Sequence, residues 1–462
     1  MSPSTPQLAW QVLRAEGAAA LRDRLLDRIA GWRRRRRFRL AGKVGLKAGE
    51  MSDCPVRLAT TPVLNVLSTP LRPELGGVQL QLLRRLEAEA AHRPCALLYP
   101  LSGGYRLECR AGSRRQAVIL QTPAPPPVLG LSDDGFAQAL RQAAHWVGAR
   151  AVHFEQLVGL PLRSVAELRN AGFRLVVAVH DFGLFCLRPH LIERPHLRFC
   201  DYSRDEIRCA RCLGQSWEVG EGFQESRRKV AGELLRSADA VVYPSDFLRR
   251  TYRDLYPGLD ADRQWVVEPP SVGSRAGLGE REPPRAVRHI AYVGSVKAHK
   301  GALVFEELVG QLRRDGLPDL RWTVYGGGDR EILARLRRLP GVRVRGYYRA
   351  EALPRLLRDD EVDLALLLSI WPESYALTLD ECLQAGVPVI ALDHGAIADR
   401  VKRRGGGILV DPAAGCGGVA ECLRELLAGN RRLESTPGPT LPDAASAARG
   451  YATIYRRLGL GE

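Results

Sequence analysis

Short apolar runs alternate with amphipathic segments along the chain from about residue 60 onward. The first group of runs predicts strands at Val63–Leu67, Cys95–Tyr99, Ala117–Gln121, Ala151–Phe154, Leu175–Val179 and Ala240–Tyr243. Between them, apolar residues recur with helical spacing, as in Leu131–Val147 and Phe223–Ser237. This alternation predicts a parallel sheet with helices on both faces.

A second alternating unit follows Gly273–Arg288, a stretch of Gly, Pro and charge that predicts a linker. Its strands are predicted at His289–Val293, Arg321–Tyr325, Val342–Arg345, Leu364–Leu368, Val387–Ala391 and Gly407–Val410. The predicted divisions are an arm (1–55), an N-terminal Rossmann-like domain (56–275), a C-terminal Rossmann-like domain (285–435) and a final helix (440–462). We expect two doubly wound α/β domains that face a cleft, with ligands at the C-terminal ends of the strands.

The composition fits this architecture. The chain has 462 residues, of which 45% are hydrophobic, enough for two or three domains that each have a core. It contains no apolar run of about 18 residues and no basic segment followed by an apolar one at its start, so we expect neither a transmembrane helix nor a cleavable signal peptide. Ten cysteines in a chain of this length favour a reducing cytoplasm over a disulfide framework.

Positive charge is concentrated near the N-terminus. Residues 1–50 contain twelve Lys/Arg and four Asp/Glu, which is +8 of the net +16. Arg33–Arg37 follows a predicted helix whose apolar face carries Leu21, Leu25, Ile29 and Trp32. A basic amphipathic helix fits an anionic membrane surface, here the inner face of the cell membrane, and a solvated basic arm is the alternative. We expect no nucleic-acid partner, because no base-reading motif accompanies the charge.

Three glycine-containing loops follow predicted strands and precede helices. Gly76 and Gly77 would let backbone amides approach a phosphate or sugar, although an ordinary loop has the same composition. Gly294–Gly301 carries Lys297 and Lys300, which suit a diphosphate beside a helix start or are two solvated surface lysines. Gly326, in Gly326–Asp329, lines the same cleft or makes a plain strand-to-helix turn.

Two histidines end apolar strands. His153 ends one predicted strand, and His180 followed by Asp181 ends another. Strand C-termini face the ligand in this architecture, so either histidine could touch a sugar, and we place His153 with Asp181 on the acceptor side. The alternative for each histidine is a hydrogen-bonded structural residue.

Two glutamates eight residues apart, Glu373 and Glu381, are the most informative pair. Glu373 lies in a predicted loop and Glu381 at a predicted helix start, next to the apolar run Val387–Leu392. An acid beside a helix N-terminus can bind sugar hydroxyls next to a phosphate. The structural alternative is a capping box, in which Thr378 caps the helix and Glu381 returns a hydrogen bond.

A polar, basic segment, 186–215, interrupts the alternation and carries Cys186, Cys200, Cys209 and Cys212. Four cysteines that end in a C-x-x-C pair suit a tetrahedral structural zinc. Free thiols and disulfides are the alternatives. A catalytic zinc is not expected, since four thiolates would leave no open position.

These residues together resemble the retaining glycosyltransferases of the GT-B fold, specifically family four, over about residues 60–430. The most specific part is the segment from Glu373 to Glu381 followed by Ala385–Ile390. The run Ser369–Tyr375 through Gly395–Arg400 is similar to members that build bacterial surface polysaccharides.

The resemblance implies a role for each residue. Lys300 would neutralise the donor diphosphate, and Glu381 would bind the ribose hydroxyls of the nucleotide. Glu373 would contact the transferred sugar, with His180 beside it. Gly76–Gly77 would close over the donor phosphates.

One position departs from the family pattern. Ser295 stands where the family usually has an arginine, and Lys297 is the charge nearest to it. Lysine cannot reproduce the bidentate grip of a guanidinium group. Transfer without a catalytic metal or other cofactor is expected, because lysines and helix N-termini can stabilise a diphosphate leaving group.

The sequence therefore predicts a cytoplasmic, peripheral membrane enzyme that transfers a sugar from a nucleotide donor to a glycan or lipid-linked acceptor. A non-catalytic nucleotide- or glycan-binding module with the same fold is the second interpretation, and Ser295 is its best support. A third is an interaction protein built around the basic arm and the cysteine segment.

Overall fold

The computed structural model describes residues 5–46, 51–72, 76–122, 129–271, 281–282, 284, 286–316, 320–433 and 441–461. Most of the predicted linker lies outside the described residues. Two compact units divide the chain: unit 1 comprises Met1–Ile29, His196–Phe199 and Ser271–Leu441, and unit 2 comprises Ala30–Pro195, Cys200–Pro270 and Pro442–Glu462. Among the described residues, no helix is both long and apolar enough to cross a membrane.

Unit 2 is built on a nine-stranded sheet in the order β1-β5-β4-β3-β2-β6-β7-β10-β11. Its strands are β1 (Arg39–Gly45), β2 (Val63–Val66), β3 (Cys95–Leu101), β4 (Gly104–Ala111), β5 (Arg114–Gln121), β6 (Ala151–Phe154), β7 (Arg174–Ala178), β10 (Ala240–Tyr243) and β11 (Gln264–Val266). All neighbours are parallel except β4, which runs antiparallel to β3 and β5. The sequence pattern did not predict β4, because charged and apolar residues alternate along it whereas buried parallel strands are continuously apolar.

The helices of unit 2 are α3 (Gly77–Ala90), α4 (Asp134–Trp146), α5 (Leu162–Glu167), α6 (Glu206–Gly214), α7 (Phe223–Ser237), α8 (Asp246–Leu255) and α15 (Ala444–Arg457). Side-chain caps start several of them: Asp133 accepts from the Phe136 amide at 2.6 Å, and Ser245 from the Leu248 amide at 3.2 Å. Two short strands, β8 (Ile192–Glu193) and β9 (Arg198–Phe199), precede α6 in the cysteine-containing segment.

Unit 1 is built on a six-stranded, all-parallel sheet in the order β14-β13-β12-β15-β16-β17. Its strands are β12 (His289–Val293), β13 (Arg321–Tyr325), β14 (Val342–Gly346), β15 (Leu364–Leu367), β16 (Val389–Leu392) and β17 (Gly407–Val410). Its helices are α9 (Ala302–Arg314), α10 (Arg330–Arg338), α11 (Leu353–Asp359), α12 (Leu377–Gln384), α13 (Gly395–Arg404) and α14 (Gly415–Leu427). Two apolar clusters contribute its core, and the six predicted strands are found within two residues of their expected ends.

The N-terminal segment differs from a free arm. Helix α2 (Ala18–Arg36) forms over the predicted helical stretch, whereas α1 (Thr5–Glu16) was not predicted. Glu16 accepts from the Tyr347 amide at 2.9 Å, and Asp27 accepts from the Tyr347 hydroxyl at 2.6 Å. After α2, β1 pairs with β5 at the edge of the large sheet. The division between the two compact units falls after Ile29, within α2.

The C-terminal helix is part of unit 2 rather than a separate element. Tyr451, Ile454 and Tyr455 of α15 pack in one core cluster with Val63 and Val176 of the sheet. Ile454 has no exposed surface. The final helix thus closes one face of the sheet.

We expect Ile454→Ala to lower the free energy of unfolding by about 2–5 kcal/mol, because it removes buried methyl groups and leaves a cavity. Urea titration followed by circular dichroism measures this change. The control is Thr453→Ala, an exposed neighbour on the same helix, expected to change stability by about 0.5 kcal/mol or less. Equal effects of the two substitutions would contradict the packing of α15 on the sheet.

Candidate functional site

The strand order of unit 1 places a crevice beside its first strand. When the six strands are numbered in chain order, they lie side by side as 3-2-1-4-5-6. The chain passes from β12 to β13 on one side of β12 and later returns to the other side of β12 with β15. Ligands of open α/β sheets bind at such a switch point, outside the carboxyl ends of the strands. The loops that follow β12 and β15 carry Lys300 and Glu373 respectively.

The loop Gly294–Gly301 is held tightly at this point. Gly301 has φ +80°, and a Cβ on it would collide with the carbonyl group of Leu368, just after β15. The Tyr292 hydroxyl lies 2.9 Å from the carbonyl oxygen of Ser295 and 3.0 Å from that of Lys300. The close approach needs glycine, and the tyrosine secures both ends of the turn.

Lys300 and Glu373 meet in this crevice. The Lys300 Nζ lies 2.6 Å from Glu373 Oε2, and the Ser369 hydroxyl donates to the other carboxylate oxygen. The lysine also lies 5.5 Å from the centre of the Trp371 ring. The Lys300 side chain remains 26% exposed while that of Glu373 is 9% exposed, so the ammonium group is the more accessible partner. Lys297, at the start of the same turn, is exposed.

The second glycine loop packs directly against the first. The Gly294 amide donates to the Tyr325 carbonyl at 2.9 Å, and the Asp329 amide to the Val296 carbonyl at 2.8 Å. A Cβ on Gly326, which has φ +153°, would collide with the carbonyl oxygen of Gly294. The loop that carries Gly326 therefore lies directly against the loop that carries Lys300.

Helix α12 does not begin with a capping box. Its N-cap is Ala376, at φ +67°, and the cap makes no side-chain hydrogen bond. Thr378 lies inside the helix, so the structural alternative for Glu381 is wrong. Glu381 is 3% exposed. Burial raises the pKa of the partly exposed Tyr348, and the charge of Glu381 raises that pKa further.

A buried ion pair, which the sequence analysis did not single out, holds the start of α12. Arg400 of α13 is 1% exposed and pairs with Asp380, which is fully buried. Its Nη1 also donates to the carbonyl oxygen of Tyr375 at 2.9 Å, and its guanidinium carbon lies 3.9 Å from the centre of that tyrosine ring. The carboxylate of Asp380 is thus bound to Arg400. No periodic signal marks such a partner, because the two residues are twenty positions apart.

Unit 2 has a switch point of its own, between β2 and β6. His180, just after β7, borders a small cavity of about 10 Å³ that Gln81, Arg85, Glu155 and Glu268 also line. Gln81 Nε2 lies 3.1 Å from His180 Nδ1. Burial and the nearby Arg85 charge lower the pKa of His180 to about 4, so the ring is neutral near pH 7. An amide donor at Nδ1 then places the ring proton on Nε2, where it can be donated to an oxygen atom.

Arg85 organises the floor of this cavity. It is 2% exposed and pairs with Glu155 and with Glu89, the latter at 2.9 Å. Its Nη1 also donates to the Tyr455 hydroxyl at 3.1 Å. Burial raises the pKa of Glu155 to about 7 despite this arginine. The sequence reasoning missed Arg85 and Glu155, although Glu155 follows His153 by two residues at a strand end.

His153 does not face an acceptor. Its side chain is completely buried, and its Nδ1 lies 2.7 Å from the Tyr455 hydroxyl. The acceptor-side assignment of His153 is therefore wrong, and the structural alternative is correct. The C-terminal helix covers the end of β6 and separates the imidazole from solvent.

Asp181, unlike the fully buried His153, lies partly at the protein surface. Its carboxylate accepts from the Gly183 amide at 2.7 Å. Burial raises its pKa to about 6.

Gly76 caps α3 with an extended backbone and open space around it, while Gly77 begins the helix. Glu74 of that turn lies outside the described residues.

The four cysteines of the inserted segment surround one cavity, lined by Cys186, Cys200, Cys209 and Cys212. All four have free thiols in the structure. Within the described part of the chain, no group of three or more His, Cys, Asp or Glu side chains is placed so that it could hold a metal ion.

Comparison with known proteins agrees with this architecture. Residues 287–429 match the family model of glycosyl transferases group 1. No curated protein sequence matches the chain. Sucrose-phosphate synthase from Thermosynechococcus elongatus aligns with a TM-score of 0.59 at 18% identity, covering 86% of this chain and 99% of that one. Anabaena Alr3699/HepE, in complex with UDP and glucose, gives 0.54 at 15%, covering 87% and 97%.

A third solved structure is similar in extent. The lipopolysaccharide outer core galactosyltransferase WaaB, in its apo form, aligns with a TM-score of 0.57 at 13% identity and covers 86% of this chain and 99% of its own. Such low identities establish the fold. The predicted two-domain Rossmann-like architecture is confirmed: the chain has the GT-B fold, and within it residues 287–429 match the model of group 1 glycosyl transferases.

Proposed function

We propose that the protein is a retaining, family-four glycosyltransferase that moves a hexosyl group from a nucleotide-diphosphate sugar to a glycan or lipid-linked acceptor. The observation that carries the proposal is the Lys300–Glu373 pair at the switch point of the domain that matches group 1 glycosyl transferases. The solved structure of Anabaena HepE with UDP and glucose supports a nucleotide-sugar donor.

The chemistry follows from the charges in the crevice. Glycosyl transfer passes through an oxocarbenium-like state and releases a nucleotide diphosphate. A donor diphosphate would compete with Glu373 for Lys300, and the lysine would stabilise the negative charge that develops on the leaving oxygen. Lys297 and the amides of the loop supply further positive potential, so we propose transfer without a catalytic metal. The released Glu373 carboxylate would accept hydrogen bonds from the sugar hydroxyls.

We further propose that His180, just after β7 of unit 2, donates a hydrogen bond to a sugar. Its neutral ring, with the proton on Nε2, suits a hydroxyl or ring oxygen rather than a phosphate, and partly exposed Asp181 follows it in the chain. We assign the acceptor to cell-surface polysaccharide or lipopolysaccharide synthesis, which the sequence resemblance and the likeness to WaaB support.

One observation favours a second candidate. Ser295 is exposed in the phosphate loop and brings no charge where related enzymes carry arginine. A nucleotide- or glycan-binding module without activity would retain the same fold and the same crevice. Measurement of turnover as well as of binding separates the two candidates.

We expect Lys300→Ala to reduce turnover of the donor at least about tenfold, since roughly 1.4 kcal/mol of transition-state stabilisation corresponds to that factor. Release of the nucleoside diphosphate from a panel of nucleotide sugars measures it. Lys402→Ala is the control, because Lys402 is an exposed lysine of the same unit that pairs with Asp393. Unchanged turnover in Lys300→Ala would contradict the assignment of Lys300 to the donor diphosphate. Binding without turnover in the wild type would favour the non-catalytic module.

Glu381→Gln is expected to weaken nucleotide binding while the melting temperature of the free protein stays within a few degrees. The side chain keeps its shape, and no cap is lost because none is present. Thermal shift with and without nucleoside diphosphate measures both quantities. A lower melting temperature with unaltered binding would assign Glu381 a structural role only.

We also propose that α1 and α2 dock on an anionic membrane surface at its cytoplasmic side. Among the described residues, ten large apolar side chains are exposed, and six of them lie on these helices: Trp10, Leu13, Leu25, Leu26, Ile29 and Trp32. On α2 they share the outward face with exposed arginines, at Arg22, Arg33 and Arg36. Apolar side chains flanked by arginine suit the boundary between acyl chains and anionic headgroups.

The double variant Leu25→Ser/Ile29→Ser should bind vesicles of phosphatidylcholine with phosphatidylglycerol less than the wild type. Co-sedimentation measures the bound fraction. Ile207→Ser, which alters a 60% exposed isoleucine elsewhere, should bind like the wild type. Point substitutions are needed, because removal of residues 1–50 would also remove β1 and the Glu16 anchor. Equal binding to neutral vesicles would contradict the electrostatic part of the proposal.

A further inference from the structure

The cysteine-containing segment builds a small enclosed space. Cys186 follows β7, Cys200 lies in the loop before α6, and Cys209 and Cys212 stand on α6 itself. Together they line a cavity of about 20 Å³. That volume holds one water-sized occupant, since a single water needs roughly 10–15 Å³. Four thiols from three chain segments therefore converge on a space that fits one ion.

The sulfur atoms already receive hydrogen bonds of the kind that stabilise thiolates. Cys186 Sγ lies 3.4 Å from the Arg188 amide, and Cys212 Sγ lies 3.3 Å from the Arg194 amide. Donors of this kind orient metal ligands and offset their charge.

A buried arginine completes the surroundings. Arg228 of α7 is 2% exposed, and its Nη2 lies 3.5 Å from Cys209 Sγ and 2.9 Å from the Ser203 carbonyl oxygen. Arg208 also lines the cavity but is paired with Glu193 at 2.8 Å. A zinc ion with four thiolates carries a net charge of about −2. The guanidinium of Arg228 would offset part of it at close range.

We propose that Cys186, Cys200, Cys209 and Cys212 bind one Zn²⁺ as a tetrahedral structural site. The four S–H groups release their protons to solvent as four Zn–S bonds form. As the described side chains stand, no group of three or more His, Cys, Asp or Glu could hold a metal ion, so binding requires the four cysteine side chains to rearrange. A full set of thiolates leaves no open position, which makes the role structural.

The site would stabilise the loop that carries the candidate sugar-facing residues. Cys186 lies six residues after His180, and the Tyr252 hydroxyl and Arg227 hold the carbonyl groups of Asp181 and Gly183 in between. A zinc ion would fix the far end of this loop to α6. This consequence for His180 rests on the proposed function, whereas the metal site itself does not.

The full-length chain, expressed in zinc-supplemented medium and purified under reducing conditions, tests the site. Elemental analysis should find about one zinc per chain, and X-ray absorption should give sulfur neighbours at about 2.3 Å. Replacement of the metal by Co²⁺ should produce thiolate-to-cobalt charge-transfer absorption. Zinc well below one equivalent, together with no such absorption on Co²⁺ addition, would overturn the proposal. Loss of free thiols to disulfides under oxidising purification, with no metal uptake after reduction, would overturn it too.

Single substitutions localise the ion. Cys212→Ser should lose most of the zinc and melt at a lower temperature, while Cys422→Ser, a cysteine of α14, should keep the wild-type zinc content. If Cys212→Ser does not fold, slow release of zinc from the wild type by a mercurial reagent, counted against four thiols, gives the same assignment. Unaltered zinc content in a folded Cys212→Ser would place the ion elsewhere and overturn the proposal. None of these measurements depends on glycosyl transfer, so they distinguish failure of the metal site from failure of the proposed function.

Discussion

The candidate site of unit 1 depends on close backbone contact between the loops at the carboxyl ends of its strands. Gly301 lies against the carbonyl of Leu368, and Gly326 against that of Gly294, at distances that exclude any Cβ. These contacts join the loops after β12, β13 and β15 into one surface at the switch point. Lys300 and Glu373 meet because the loops that carry them cannot separate without breaking this packing.

Buried charge pairs support the residues around both sites. Arg400 is bound to Asp380 and to carbonyl groups at the start of α12, the helix that carries Glu381. Arg85 has the same role in unit 2, where it joins Glu155 to the C-terminal helix beside His180. Removing one partner of such a pair leaves an uncompensated charge, which costs about 3–5 kcal/mol. These arginines act by positioning other residues.

The N-terminal helices connect the architecture with the proposed membrane surface. Their inner face uses Glu16 and Asp27 to hold Tyr347, near the end of β14. Their outer face is left to apolar side chains and arginines. One pair of helices thus has an anchored acidic face and an exposed basic one, which a disordered arm would not provide.

The sequence by itself determined the alternation of elements, the six strands of unit 1 and the positions of Lys300, Glu373 and His180 at strand ends. These are local properties, because apolar periodicity and glycine turns act over a few residues. Only the tertiary structure decided that His153 is buried, that Glu381 is not part of a capping box, and that Arg85 and Arg400 hold the sites. Such outcomes depend on contacts between residues far apart in the chain, for which a single sequence carries no periodic signal.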